Sequence, residues 1–311
     1  MYRSGEFKLT YTDEDGNTKT DSDPIDPKAG NNHGSQNIPE GIDKEGAVQI
    51  DITTIESYSE LFSSLEQDDK LVICGGDGTL NRFVNDTEGI PLENDVLYYP
   101  SGTGNDFSTD IGMTDVKEPF SIKKYISDLP TVEVNGKRYR FLNNVGFGID
   151  GYCCEVGDEL KKNSDEPVNY TAIAIKGLLF DYKPRGTTVT VDGKEYRFKK
   201  VWIAPTMKGR YYGGGMMPTP EQDRNDPEGT LSLMLFYGKG KLKTLTVFPS
   251  IFKGEHVKHK NMVAVLKGKD ISVRFDSPAS VQVDGETILG VTEYRAVSNV
   301  KALEKQDPLV I

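Results

Sequence analysis

An α/β domain followed by a mainly antiparallel β domain is the fold class that three observations in the sequence predict. Two continuous apolar runs, Leu71–Cys74 and Val96–Tyr99, each empty into a glycine-rich polar turn, Gly75–Thr79 and Ser101–Asp106. Runs of that length bounded by Gly and Pro read as strands covered on both faces. The segment between them, Leu80–Asn85, has apolar residues at helical spacing, so the order is strand, turn, helix, strand, turn. Further on, one pattern occurs three times: Val132–Lys137, Val189–Lys194 and Val281–Glu286 are alternating strands that run into Asn-Gly or Asp-Gly. That is the strongest short hairpin signal, and it makes the second part of the chain antiparallel.

In chain order, Lys8–Thr12 and Thr18–Thr20 flank the turn-like Asp13–Asn17 and suggest a hairpin. Residues 21–46 are rich in Asp, Pro, Gly and Asn and read as loop. Val48–Ile52 alternates as a strand. Thr53-Thr54 then stand where they could cap a helix Ile55–Leu65, whose Ile55, Tyr58, Leu61, Phe62 and Leu65 share one face. After Phe107 a link, Ile111–Pro130, contains a short helix Pro119–Ser127. The shift in composition across this link sets the domain boundary, giving 1–115 and 116–311. One helical interruption of the β part, Tyr170–Phe180, carries only Lys176 as a charge and is expected to be mostly buried.

With 311 residues there is enough chain for two real cores, and the apolar and charged fractions are those of a globular protein. The net charge of −11 argues against a nucleic-acid partner and against general adhesion to anionic lipid. Cys74, Cys153 and Cys154 form no C-x-x-C, which reads as reduced, cytoplasmic usage without a disulfide framework or zinc site. Met1–Glu6 has no apolar signal region, and nowhere do 18 apolar residues run together.

The two glycine turns carry the chemistry. Glycine lets a ligand approach the main chain, and outward-pointing amides ahead of a helix suit phosphate. Two such turns at the ends of neighbouring buried strands, with Thr, Asp and Asn beside the glycines, point to a phosphate-bearing ligand at the carboxyl end of the sheet. There is no G-x-x-x-x-G-K-[ST], no dinucleotide G-x-G-x-x-G and no H-R-D or D-F-G set. Gly75-Gly76-Asp77-Gly78-Thr79-Leu80-Asn81 followed by Pro100-Ser101-Gly102-Thr103-Gly104-Asn105-Asp106-Phe107 instead resembles the diacylglycerol kinase catalytic domain family. That family includes bacterial diacylglycerol kinases and the sphingosine and ceramide kinases.

The resemblance covers residues 48–290. It implies a Rossmann-like three-layer α/β nucleotide-binding domain and a β-sandwich-like second domain, with the active site in the cleft between them. The chain's C-terminal end often returns to the first domain in this family. The implied reaction is ATP-dependent phosphorylation of a lipid alcohol, with Mg²⁺ and with diacylglycerol as default acceptor. It implies ATP on Gly75, Gly76, Asp77, Gly78, Thr79, Leu80, Asn81, Thr103, Gly104, Asn105 and Asp106, and phosphate contact from Thr53, for which plain helix capping is the alternative. Asp77 would hold Mg²⁺ through water or orient the acceptor, unless it merely bonds its own loop as an Asx turn. Asp26–Asn31 looks like the family's first nucleotide turn, with Asp26 in place of Asn and a poor strand ahead of it, so residues 1–46 are atypical.

Glu286 follows the third Asp-Gly, where the other two hairpins carry Lys137 and Lys194. Taken alone it is an exposed acid on a tight turn. The resemblance makes it the group that accepts the proton of the lipid hydroxyl. Gly213-Gly214-Gly215-Met216-Met217 and the loop ending Glu228-Gly229-Thr230-Leu231 match a family segment that holds a structural Mg²⁺. The matching positions are Glu228, Asn225 and Thr230, with an ordinary acidic surface loop as the alternative. Asn143–Asp150 resembles a buried family strand. The lysines and large apolar groups of residues 238–260 would suit either a membrane face or a helix with a solvated basic edge. The partners implied are a membrane lipid substrate met by peripheral contact at the inner membrane face and no nucleic acid, and a homodimer is compatible with this. Two rivals remain open: a soluble-substrate kinase of the NAD kinase type, and a nucleotide-binding regulatory protein without turnover.

Overall fold

The computed structural model of the protein describes residues 2–4, 10–12, 18–20, 47–102, 104–163 and 170–298. The chain divides into two compact units, Met1–Ser108 with Met113–Ser127, and Thr109–Gly112 with Asp128–Ile311.

In the first unit β1 (Tyr2–Ser4), β2 (Thr10–Thr12), β3 (Thr18–Thr20) and β4 (Ala47–Gln49) form two antiparallel pairs, β1 with β4 and β2 with β3. The turn at Asp26–Asn31 lies outside the described residues. The expected helix over Ile55–Leu65 is shorter, α1 (Tyr58–Ser63), and its cap is Ser57, whose Oγ accepts the Glu60 N–H at 3.2 Å. Ser57 and Glu60 have the spacing of a capping box. The expected strand over Val48–Ile52 ends early. Asp51 folds the chain into a 3₁₀ turn, Ile52–Thr54, by accepting the Thr53 N–H and Oγ–H, both at 2.8 Å.

Strands β5 (Lys70–Gly75) and β6 (Asp95–Pro100) pair parallel, from Lys70 opposite Asp95 to Gly75 opposite Pro100. Both glycine turns therefore leave the same end of the sheet. The connection is α2 (Asp77–Asp86), which buries Leu80, Phe83 and Val84; Phe83 packs edge-on against Tyr58 with ring centroids 5.9 Å apart. After α3 (Asp106–Asp110), the segment expected as one helix over Pro119–Ser127 divides into β7 (Phe120–Ser121) and α4 (Lys123–Ile126). Ile122 between them is fully buried and donates its N–H to Val96 O. Phe120 stacks edge-on against Tyr98, so sheet pairing wins over helix propensity there.

The second unit is a nine-stranded antiparallel sheet among the described residues. Its elements are β8 (Thr131–Val134), β9 (Lys137–Arg140), β10 (Asn144–Gly148), α5 (Ile149–Asn163), α6 (Tyr170–Lys176), β11 (Arg185–Val191), β12 (Lys194–Met207), β13 (Leu231–Tyr237), α7 (Lys241–Val247), β14 (Val263–Gly268), β15 (Asp270–Val283) and β16 (Glu286–Val297). The three expected hairpins are β8–β9, β11–β12 and β15–β16. Each turns on an Asn or Asp with positive φ (Asn135 51°, Asp192 46°, Asp284 45°) followed by a glycine that is also left-handed, the backbone signature of a type I′ turn. Strands β12 and β15, 14 residues each, both pair along one part with β10 and along another with β11. The sheet thereby folds over on itself and encloses a core.

In that core the Phe147 ring lies 4.2 Å from Phe275 and 5.4 Å from Tyr294, centroid to centroid. A second cluster around Trp202, Phe236, Phe248 and Ile251 packs with Ile149, Cys153 and Ile173 of α5 and α6. The helix expected over Tyr170–Phe180 is only partly buried. After α6 the chain widens into a π turn, Gly177–Asp181, closed by the Tyr182 N–H on Gly177 O at 2.8 Å. This turn leaves the Phe180 side chain 71% exposed. A Cβ on Gly177 would run into the Tyr152 ring and the tip of Ile149, so glycine lets this turn pack on α5 without moving them.

Replacing Phe147 by Ala removes a ring from the centre of the sandwich core and lowers stability by about 3–5 kcal/mol. Urea unfolding followed by fluorescence of Trp202, the chain's one tryptophan and a residue of this unit, reads that loss.

Candidate active site

The two glycine turns meet backbone to backbone. A Cβ added to Gly102 would stand 2.5 Å from Gly76 Cα, and one added to Gly76 3.2 Å from Gly102 Cα. No larger residue fits at Gly102 without separating the loops. The approach is held by the Ser101 N–H on Gly75 O and by the Tyr98 hydroxyl on the same oxygen, both at 2.9 Å. Thr79 packs over the α-carbon of Gly75, where a Cβ would overlap it. Gly78 and Gly104 stay exposed, Gly78 with open space beside its main chain.

Asp77 ties the loops together. Its carboxylate accepts the Asp106 N–H at 2.8 Å and the Phe107 N–H at 3.1 Å, the first amides of α3. The Asp77 carboxylate thus bridges the two loops. The Asp77 and Asp106 carboxylates flank one point beside Gly104, 3.8 and 3.9 Å from where its Cβ would be. Asn105 adopts a left-handed φ of 46° and donates from Nδ2 to Gly102 O at 2.7 Å. Leu80 and Asn81 are buried, Asn81 Oδ1 accepting from Asn85. Thr53 is in the 3₁₀ turn, its hydroxyl turned to Asp51, so the capping role weighed for it belongs to Ser57. Thr103 lies outside the described residues.

In the second unit the Asp284-Gly285-Glu286 turn is clamped by its own aspartate. The Asp284 carboxylate accepts three consecutive amides, Leu142 at 2.5 Å and Asn143 and Asn144 at 2.8 Å, while its N–H donates to Asn144 O. Gly285 N–H donates to Gln282 Oε1 at 2.8 Å. Glu286 is the first residue of β16 and is exposed, opposite Val283.

Residues 142 and 143 are gripped from the other side by a buried ionic group absent from the sequence reading. Arg224 donates from Nε to Asp110 Oδ2 at 2.6 Å, from Nη1 to Leu142 O and from Nη2 to Asn143 Oδ1. Arg210 donates from Nε to the other oxygen of Asp110 at 2.9 Å. Asp110 and Arg224 are almost wholly buried, and Gly209 makes room for both, since a Cβ there would overlap them. Asp110 and Arg224 stand 114 residues apart, and no local spacing marks them. Next to them Lys208 is nine-tenths buried, and burial with the neighbouring Arg224 lowers the pKa of its ammonium.

The loop expected to hold Mg²⁺ is closed differently. Asp226 organises it, accepting the N–H groups of Glu228 at 3.0 Å and Thr230 at 3.1 Å. Hydrogen bonding from Thr230 above all holds the Asp226 carboxyl below its usual range. The Glu228 carboxylate pairs with Lys269 at 2.7 Å on the surface, and Thr230 O accepts from Gln222 Nε2. Asn225 donates its N–H to Asp223. The Glu228 carboxylate and the Thr230 carbonyl thus each have a protein partner. Among the described residues no group of three or more His, Cys, Asp and Glu side chains could hold a metal ion.

These features can be set beside known proteins. The sequence profile of the diacylglycerol kinase catalytic domain matches residues 25–131, and that of the YegS C-terminal NAD kinase beta sandwich-like domain matches 143–301, half of the chain. The chain belongs to this lipid kinase family. A diacylglycerol kinase of Mycobacterium tuberculosis is 25% identical over 226 residues, 70% of each chain. A Staphylococcus aureus protein named as a lipid kinase is 26% identical over 230 residues, 71% of this chain and 72% of its own. A crystal structure of a diacylglycerol kinase from Bacillus anthracis superposes with a TM-score of 0.50 at 19% identity, covering 78% of this chain and 76% of the other. A second Bacillus anthracis structure gives 0.56 at 21% identity, covering 77% and 76%. At such identities these two structures bear on the fold, an α/β unit with a β-sandwich-like unit.

One further carboxyl is marked by its surroundings. Asp150 opens α5, is buried and accepts the Gly151 N–H at 2.9 Å. Burial pushes it from 3.8 up to about 7, against the opposing pull of the Gly151 N–H and Gln282. A carboxyl raised in the folded state contributes stability that is fully present below 3.8 and is lost as pH rises through about 7. Asp150→Asn removes that dependence. Urea unfolding should show the variant gaining on the wild type by on the order of 4 kcal/mol between pH 4 and pH 8.

Proposed function

We propose that this protein is an ATP-dependent kinase that phosphorylates the hydroxyl of a lipid alcohol, with diacylglycerol as the first acceptor to consider. The observation that carries the reading is the cradle in which Gly76 and Gly102 touch and Asp77 bridges the loops. Such a surface, with the amides of the α2 N-terminus behind it, suits the phosphates of ATP. The exposed Gly78 and Gly104 would let the phosphate chain lie against the main chain, and Thr79 would offer a hydroxyl.

ATP, when bound, supplies the γ-phosphoryl group. Mg²⁺ is commonly held by one or two carboxylates together with phosphate oxygens, and Asp77 and Asp106 beside Gly104 would be those carboxylates. Glu286 would take the proton of the acceptor hydroxyl as that oxygen forms its bond to the γ-phosphorus. The bond from the γ-phosphorus to the bridging oxygen breaks, and ADP leaves. The turn suits this work because Asp284 fixes its backbone on three amides while the Glu286 side chain stays exposed. No helix among the described residues is long and apolar enough to cross a membrane; in this reading the lipid acceptor would be met by peripheral contact.

The test is transfer of ³²P from γ-labelled ATP, with Mg²⁺, to mixed micelles of diacylglycerol, monoacylglycerol, ceramide or sphingosine. One lipid should be labelled by the wild type. Glu286→Gln should lower kcat by about 10²–10⁴-fold with ATP binding unchanged, and Gly102→Ala should weaken ATP binding at least tenfold by forcing the loops apart. Labelling of NAD instead of any lipid would establish the soluble-substrate rival, and ATP binding without transfer to either the regulatory one. Undiminished transfer by Glu286→Gln would remove the proposed base.

A further inference from the structure

Tyr98 stands in β6 opposite Ile73 of β5 and is fully buried. Its ring lies edge-on to Phe120 at 5.9 Å and to Phe107 at 6.1 Å, centroid to centroid, contacts that a phenylalanine would make equally well. What the tyrosine adds is a hydroxyl inside the core, which costs free energy unless it is paired. Its partner is the carbonyl of Gly75, 2.9 Å away. Burial above all, with Asp77 and Cys74 adding to it, holds the phenol well above its usual pKa, so it stays protonated and donates.

That carbonyl belongs to the peptide between Gly75 and Gly76, where β5 ends and the first glycine turn begins. Neither residue carries a Cβ, so the plane of this peptide can turn over at small steric cost. A trans peptide is planar, with its C=O and N–H on opposite edges. One orientation sends the oxygen towards β6 and the N–H the other way. The reverse orientation exchanges them and presents an oxygen, which repels phosphate, where the N–H would attract it. Two donors choose between these states, the Tyr98 hydroxyl and the Ser101 N–H, both at 2.9 Å from Gly75 O. Ser101 is itself part of the second glycine turn, whereas Tyr98 donates from the packed sheet.

We propose that Tyr98 is a positioning residue for the nucleotide phosphates, its hydroxyl locking the Gly75–Gly76 peptide in the orientation that offers the Gly76 N–H to the ligand. It touches neither ATP nor acceptor. The proposal rests on the reading of the glycine cradle as an ATP site. It adds to that cradle a side chain from outside both glycine turns, 23 residues along the chain from the carbonyl it holds.

The test is Tyr98→Phe, which keeps the ring and removes the hydroxyl. In protein carrying ¹³C-carbonyl, ¹⁵N-labelled glycine, an HNCO spectrum shows only amides preceded by glycine, which are Gly76, Gly214 and Gly215. Without nucleotide, the variant should move the Gly75 carbonyl resonance and leave those of Gly213 and Gly214 in place. Calorimetric titration should then give an ATP Kd about three- to tenfold weaker, the contribution of one ordinary hydrogen bond. Binding of adenosine, which has no phosphates, should be unchanged. An unmoved Gly75 signal overturns the proposal. So does an equal loss of affinity for ATP and adenosine, which would mean a general loosening of the unit. Wild-type protein that binds no ATP overturns the kinase reading and takes the phosphate role of Tyr98 with it. ATP binding by the wild type that Tyr98→Phe leaves equal overturns this inference alone.

Discussion

A carboxylate that accepts two or three backbone N–H groups is the interaction on which both units depend. Asp77 accepts from the first amides of α3 and so joins the two glycine loops. Asp284 accepts from three successive amides of residues 142–144 and so fixes the last hairpin against the start of β10. Asp192 does the same at the second hairpin, its Oδ1 accepting Lys269 and Asp270 N–H, both at 2.9 Å. Asp226 closes the loop ahead of β13. Backbone amides in loops have no ladder partner, and leaving them unpaired costs far more than one hydrogen bond contributes. The charge-assisted bond is the stronger kind. Part of the excess of acid in this chain is thus structural, spent on loop amides and not on a solvated surface.

The buried group of Asp110, Arg224 and Arg210 follows a related logic at higher cost. Burying an ion pair gains little over apolar packing, and breaking one by removing a partner costs about 3–5 kcal/mol. What Arg224 adds is direction. Its guanidinium reaches the Asp110 carboxylate, the carbonyl of Leu142 and the side chain of Asn143, while Asp284 holds the amides of the same two residues. An apolar replacement could fill the volume but could not satisfy that carbonyl and amide. Residues 142 and 143 are therefore held on both donor and acceptor sides, and the backbone entering β10 has little freedom.

What could be read in the sequence was local. The parallel pair β5 and β6, the helix between them and the three hairpins each rest on signals within a few residues, an apolar run, a glycine turn or an Asn-Gly or Asp-Gly step, and they stand as read. The misreadings arose where two local signals competed or a distant one decided. Asp51 and Ser57 outcompeted Thr53 and Thr54 because an ionised acceptor and a capping box are better placed to take free amides. Phe120–Ser121 pairs with β6 because Tyr98 lies beside it, which no helical period reveals. The π turn after Lys176 depends on a glycine fitting against α5. The link from Asp110 to Arg224, like the contact of Gly76 with Gly102, exists only once the fold brings distant segments together. For the glycines the sequence shows the residue but not the neighbour that requires it.

The hairpins separate scaffold from proposed chemistry. In all three the turn is Asn-Gly or Asp-Gly with left-handed backbone, and in the second and third the Asp carboxylate anchors it to another segment. The backbone device at Asp192 is thus close to that at Asp284, and a turn clamped in this way serves the fold whatever follows it. Only the residue after the glycine differs in kind: Lys194 at one, Glu286 at the other. A general base must be held in place through its backbone while its carboxylate remains reachable, and a clamped turn meets both requirements without a new structural element. The same sandwich could thus carry an acceptor-activating carboxylate by a single substitution on a turn already built for stability. The glycine cradle differs, since there a Cβ on Gly102 would overlap the Gly76 backbone and one on Gly76 would crowd Gly102.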